Sequence, residues 1–324
     1  MGGIGEGQSC IDVETGWNRL HTRLAHLVPP RRGTLLCGRH RAGGVAHGTC
    51  VLGIICGTNP IIAPGQVGCA GIAPGVAEMR LASYVSEAEP PTDVLPVPAD
   101  NPATDVAENI YAAVSHGIDF LRTSGGGVLL IEYQTADLLP LEILPAMREL
   151  IESAKPDVTV VEAAGNGNRN LDGVQDDLGN FSLLRGEGAP DSGAIMVGSA
   201  VSAVFRARHD RFVQNLLSGS NFGSRVDCYA WGQGIGTPAA GGAGDLCDVF
   251  GGTSGAAAII AGVALVVRGI AANGGTQLDA QALRDLLRDE NLGTRCKADA
   301  RIGSMPDLAR ILVSGDFGVP PQPR

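Results

Sequence analysis

Three stretches of this chain are apolar on both strand parities: "GGVLLIEYQ" at 126–134, "VTVVEAAG" at 158–165 and "GAIMVGSAVS" at 193–202. A strand with one wet face alternates apolar and polar residues, so a run that is apolar throughout reads as a strand covered on both sides. Around them lie segments of helical spacing: "DVAENIYAAVSHGIDFLRTSG", which ends in Gly, "LEILPAMRELIESAKP", closed by Pro156, and "QLDAQALRDLLRD". "SCIDVE" at 9–14 and residues 77–84 read as further strands, and a helix is expected from about Ala46 through "GTCVLGIICG". Strands alternating with helices predict the α/β class, with three αβα layers around a mostly parallel central sheet. In such sheets functional residues gather at the carboxyl ends of the strands.

Composition narrows the function. Hydrophobic residues make up 44% and charged residues 18%, enough for a sizeable core. Aromatics are 4% while glycine counts 47, which favours close backbone packing over ring stacking. The net charge of −10, with no Lys/Arg runs, excludes a nucleic-acid binder, since phosphate contacts need a basic face. The longest apolar run, "GAAAIIAGVALVV" at 255–267, is too short to span a bilayer and predicts a buried helix, so no membrane partner is expected. "MGGIGEGQSC" lacks the charged and apolar regions of a secretory leader. Eight cysteines, an even count, permit disulfides without revealing their pairing. "EAEPPTDVLPVPADNPAT" at 87–104 reads as a surface loop. With no repeat or convincing linker, one domain is expected over 1–313, followed by a loose tail over 314–324.

Three stretches carry an acid, an imidazole and a hydroxyl in that order. They are "CIDVETGW" with Asp12, "AHGTCVLG" with His47 and "FGGTSGAAAIIAG" with Ser254, the parts of a nucleophilic triad. Ser254 follows two glycines and opens a long apolar helix, whose amino end favours developing negative charge. His47 stands at a helix start among small residues, and Asp12 ends an apolar strand. Asn166, at the end of "VVEAAGN", can donate its side-chain amide to an oxyanion together with the Ser254 N–H.

These stretches resemble the subtilisin-like serine proteases, the subtilases. "HGTCVLG" matches the histidine motif H-G-T-x-V-x-G, and "GTSGAAAIIAG" resembles the serine motif with its apolar helix. "AAGN" matches the oxyanion strand, while "GIAPGVAEMR" and "SNFGSRVDCYAWG" resemble two segments between the motifs. Asp, His, Ser is the subtilisin order. The resemblance implies the subtilisin-like fold, a catalytic domain over 1–313 and peptide hydrolysis by Asp12, His47 and Ser254, with Asn166 in the oxyanion hole. It also implies an extended polypeptide substrate, with Ala163, Ala164 and Gly165 walling the main specificity pocket. Their small size would admit a bulky apolar side chain; Glu132 and Glu162 would instead favour a basic one. No cofactor is expected for the chemistry. Structural calcium would suit an acidic loop such as "NLDGVQDDLGN". A monomer is implied, with a prodomain or inhibitor upstream, and family and cysteine count together favour secretion.

Two departures from the family pattern stand out. The usual D-x-G is replaced by Asp12-Val13-Glu14-Thr15-Gly16. Asp12 and Glu14 share one strand face, and Asp12 is taken as the acid, with Glu14 as fallback or supporting carboxylate. Ala258 replaces the usual proline of the serine motif. Ala258 is also the one hint of a transpeptidase or macrocyclase, and a misplaced acid would leave a non-catalytic peptide-binding module. Two rivals read the same residues differently. Cys37, His40, His47 and Cys50 could hold zinc, and "GNGNRN" faintly resembles a dinucleotide loop that lacks its third glycine. Cys50, three residues after His47, suggests sensitivity to thiol reagents.

Overall fold

The computed structural model describes residues 3–18, 20–27, 32–58, 70–85, 102–175, 179, 183–186, 189–202, 211, 213–215, 218–314 and 317. At its centre β1 (Ser9–Val13) pairs in parallel with β3 (Glu78–Ala82) on one side and β4 (Gly127–Ile131) on the other. Beyond β3 lies β2 (Arg32–Cys37). Beyond β4 follow β5 (Val158–Ala163), β6 (Ile195–Ala200) and β9 (Cys228–Trp231), all parallel. At the far edge β13 (Ser304–Pro306) pairs antiparallel with β12 (Gly293–Arg295), completing nine strands. Two hairpins stand apart from this sheet, β7 (Val213–Asn215) with β8 (Ser218–Gly219) and β10 (Ile235–Pro238) with β11 (Leu246–Phe250).

Strand parity sorts the core into two layers. Cys10, Val128, Leu130, Val161 and Ala163 point to one face and pack on α1 (Val45–Cys56) and α4 (Gly252–Asn273). Ile11, Val13, Leu129, Ile131 and Val160 point to the other, against α2 (Pro102–Thr123) and α3 (Pro145–Ser153). The mostly parallel, three-layer α/β architecture matches the expectation, and the unbroken apolar runs are the reason it was legible. α5 (Ala280–Arg288) and α6 (Leu308–Ser314) add to the α4 side. α4 is long and apolar enough to cross a bilayer, but 89% of its apolar window is buried in this domain.

Some boundaries differ from expectation. α2 begins at Pro102, inside the segment read as a loop, because proline suits the first turn of a helix; residues 86–101 lie outside the described set. Leu141–Ile143 forms a short 3-10 turn, and the helix proper starts at Pro145. No disulfide joins Cys10, Cys37, Cys50, Cys56, Cys228, Cys247 and Cys296 to one another; Cys69 lies outside the described residues, as does most of the tail.

A buried ionic cluster ties β9 to the α3 side and to α5. The fully buried Arg225 guanidinium donates from Nε and Nη2 to Glu142, at 2.6 and 2.7 Å, and from Nη1 to Asp227 Oδ2 at 2.8 Å. Arg284 donates to Asp227 at 3.1 Å and to Asp191 at 2.9 Å. Burial alone would push Asp227 up, but Arg225, Arg284 and Arg185 outweigh it and hold its carboxyl below the usual range. Removing one partner strands the others in a low-dielectric interior. Arg225→Met is expected to cost about 3–5 kcal/mol in denaturant unfolding, and a loss below about 1 kcal/mol would mean that the cluster adds no net stability.

Candidate active site

The chain leaves β1 to build β3 on one side and later returns to build β4 on the other, so the strand order reverses between β1 and β4. Helices leave on opposite faces there, and a crevice opens at the carboxyl ends of the two strands. Glu14 lies one residue beyond β1, Glu132 one residue beyond β4, and Ala164 to Asn166 directly beyond β5. α1 delivers His47 to the same end from its first turn.

His47 Nδ1 is bonded to Glu14 Oε2. Glu14 Oε1 accepts from the Thr15 N–H at 2.7 Å and from Thr15 Oγ1 at 3.1 Å, so three donors converge on this carboxylate. The Phe250 ring meets the imidazole edge-on, with centroids 5.3 Å apart. Burial pushes His47 down, but the Glu14 hydrogen bond and the Glu14 and Asp12 charges outweigh it, and the net shift is upward from 6.5.

The expectation that Asp12 holds His47 is corrected by this geometry. Asp12 lies inside β1, fully buried, and its Oδ2 accepts from Trp17 Nε1 at 2.8 Å, while Oδ1 has no partner. Burial, and then the charge of Glu14, push its pKa to about 8, so the group is mostly neutral at neutral pH. Asp12 therefore reaches His47 only through its charge when ionised, whereas Glu14 bonds the ring directly.

Ser254 stands in the first turn of α4, where backbone N–H groups have no carbonyl behind them. The turn is locked to Asn166, whose Oδ1 accepts from the Thr253 N–H at 2.9 Å and from Thr253 Oγ1 at 3.1 Å. That N–H needs an acceptor, which fixes the amide orientation and makes Nδ2 the donor, with two hydrogens to give. Nδ2 reaches Gln134 Oε1 at 3.3 Å, and the Asn166 N–H donates to the same oxygen at 2.8 Å. Gly252 has φ +69°, and a Cβ there would lie 2.9 Å from Asn166 Oδ1, so only glycine allows this approach. α1 packs against α4, and the Phe250 ring that meets His47 also lies 3.5 Å from where a Cβ on Gly255 would stand.

Sequence reasoning did not single out Gln134, Trp17 or Asn221. Asn221 is fully buried and uses its whole amide. It accepts from the N–H groups of Gly167 and Arg169, at 3.1 and 2.9 Å, and donates to Leu138 and Ala164 carbonyls, at 2.6 and 2.7 Å. It thereby sets the path of the loop that carries Asn166, and the "SNFG" stretch was its available signal. Gly165 has φ +91°, and a Cβ there would lie 2.4 Å from the Leu138 carbonyl. The Ala163 and Ala164 side chains are buried, so they offer backbone and small bulk rather than exposed methyl surface.

Glu162 belongs elsewhere: it faces the α3 side, where its Oε1 accepts from the Glu142 N–H at 3.1 Å. The Cys37/His40/His47/Cys50 zinc reading fails on distance. Among the described residues, the group whose ligand atoms lie within 4.8 Å of one another is Glu14, His47 and Glu132. The acidic loop considered for calcium includes Asp176 and Asp177, which lie outside the described residues. Burial, and then Cys247, push the Cys50 thiol up to about 12, which leaves little thiolate for alkylation and argues against thiol sensitivity there.

A profile of the Subtilase family matches residues 38–304. No curated protein matches. A cold adapted subtilisin-like serine proteinase of known crystal structure is similar in fold, with TM-score 0.58 and 19% identity over 94% of this chain and 88% of that one. The MycP3 protease from the type VII (ESX-3) secretion system gives TM-score 0.60 and 22% identity over 95% and 84%. The matched profile begins after β1, so the choice between Asp12 and Glu14 rests on the geometry alone. The match spans most of the chain, with the His47 and Ser254 motifs in it, and the chain belongs to the subtilase family of serine peptidases.

Proposed function

We propose that this chain is a serine endopeptidase whose triad is Glu14, His47 and Ser254, with Asn166 in the oxyanion hole. The observation that carries this reading is the Glu14–His47 bond at the head of β1, on the side of the sheet where α4 starts with Ser254. His47 takes the proton from Ser254 Oγ as that oxygen attacks a peptide carbonyl, then gives it to the leaving amine. Glu14 holds Nδ1–H, so that Nε2 faces the nucleophile as the base, and offsets the imidazolium charge. The tetrahedral oxyanion receives the free Asn166 Nδ2–H and the Ser254 N–H. A water then repeats the cycle on the acyl-enzyme. The polypeptide lies extended beside residues 163–165, whose small bulk leaves room for a large side chain. Ala258 is buried in the core, so it gives no ground for preferring aminolysis.

A fluorophosphonate probe followed by peptide mapping tests the triad. Label is expected on Ser254. Glu14→Gln should lower the rate by about 10⁴-fold by losing the carboxylate that orients His47. Asp12→Asn keeps an acceptor for Trp17 and should keep most of the rate. The reverse order of the two variants would return the acid to Asp12. Because His47 must be neutral to act and its pKa is raised, activity should fall as pH drops through a midpoint above 6.5. In Glu14→Gln that midpoint should move down.

Asn166→Ala should lower kcat by about 10²–10³-fold with little change in KM, because its donor meets charge that develops only in the transition state. A change below about threefold would remove Asn166 from the hole.

A further inference from the structure

Glu132 is the carboxylate at this crevice that no donor holds. The residue is 8% exposed, and neither carboxyl oxygen has a hydrogen-bond partner among the described residues. One of its oxygens lies within 4.8 Å of a Glu14 oxygen and of a His47 ring nitrogen. The groups that face this region are Cys10, Asp12 and Glu14 from β1, His47 and Cys50 from α1, and Tyr84 after β3, with Arg41 acting on Tyr84. The neighbours acting on Glu132 are the Asp12 and Glu14 carboxyls, each of its own sign when ionised. Two buried carboxylates this close cannot both stay ionised. Three donors converge on Glu14, one on Asp12 and none on Glu132, so the proton settles on Glu132.

We propose that Glu132 is a positioning residue of the catalytic centre, which keeps its proton while Glu14 keeps the charge, so that no second carboxylate charge pushes Glu14 away from His47. The proposal rests on the reading of Glu14, His47 and Ser254 as a triad. Burial and these two neighbours act in the same direction, holding Glu132 well above the usual carboxylate range. When Glu132 does lose its proton at alkaline pH, a second negative charge faces Glu14. That charge repels the Glu14 carboxylate and binds the imidazolium proton more tightly, so the rate falls. A divalent cation shared by Glu14, His47 and Glu132 is the competing way to neutralise the cluster, but it would need the Nδ1 position that Glu14 already occupies.

The test has one readout that does not depend on activity. All variants are made in the Asp12→Asn background, so that the neighbouring carboxyl, itself near 8, no longer titrates. Infrared spectra of the folded protein at neutral pH should show a protonated-carboxyl C=O band that Glu132→Gln removes. Glu132→Gln keeps a neutral donor and should keep most of kcat, with the alkaline fall in kcat/KM flattened. Glu132→Leu is neutral at every pH, and it should likewise flatten the alkaline fall in kcat/KM. If the leucine variant does not fold, the band and the alkaline limb of the glutamine variant still decide. No band difference, an unchanged alkaline limb in Glu132→Gln, or zinc ions inhibiting the parent but not Glu132→Gln would each overturn the proposal. A parent that shows the band yet leaves Ser254 unlabelled would count against the triad reading, with Glu132 protonated all the same.

Discussion

The site depends on one contact, the bond between the Glu14 carboxylate and His47 Nδ1. It joins the central strand to the first turn of α1 and lies where the strand order reverses. The reversal parts the connections on either side of β1 and β4, so the strand ends there are not roofed by a crossover. Everything else aims into that opening. α4 brings Ser254 by its amino end, and Thr253, through Asn166, ties that turn to the end of β5. Asn221 and Gln134 then hold the Asn166 loop from two further directions. The Asn166 amide is therefore positioned by the same hydrogen bonds that satisfy the polar backbone at the strand ends.

The fold was legible because its signal is redundant. Each central strand is apolar on both parities, each helix has its own period, and a single mistaken boundary leaves the layer order intact. The stretches around His47, Ser254 and Asn166 stood out for another reason: each is a short run of small residues of the kind that a close backbone approach requires. Gly252, which must come within 2.9 Å of Asn166 Oδ1 even as a hypothetical Cβ, is such a case. The edge strands and the β10–β11 hairpin carry no such signal. They are short, and their pairing is decided by long-range contacts.

The acid was harder to read. Parity puts Asp12 and Glu14 on one face, and it says nothing about where the strand ends relative to α1. Two residues of strand span about 6.6 Å, which separates a carboxylate sealed beneath the crevice from one at its mouth. Residue type pointed to Asp12, whereas the Thr-Gly that follows Glu14 pointed to the turn, and it is the residue at the turn that bonds His47. Parity also separates Glu162 from Glu132. Although Glu162 is paired in register with Ile131, it faces the α3 layer, one side chain away from any role in the crevice.

The protein handles buried charge in two ways, and the contrast explains the acidic site. At the far side Arg225, Arg284, Asp227, Glu142 and Asp191 neutralise one another through direct ion pairs. The crevice has three carboxylates in place of that balance. An arginine there would neutralise them, but it would also compete for Glu14 and lower the proton affinity of His47. Donors from Thr15 and Trp17, together with protons, can lower the charge without adding a cation. In the proposed reaction, a crevice settled this way leaves the imidazole as the group that gains positive charge, facing the Glu14 carboxylate. Glutamate at 14, one methylene longer than aspartate, lets that carboxylate reach His47 from beyond the strand end, while its Thr15 contacts keep the longer side chain in place.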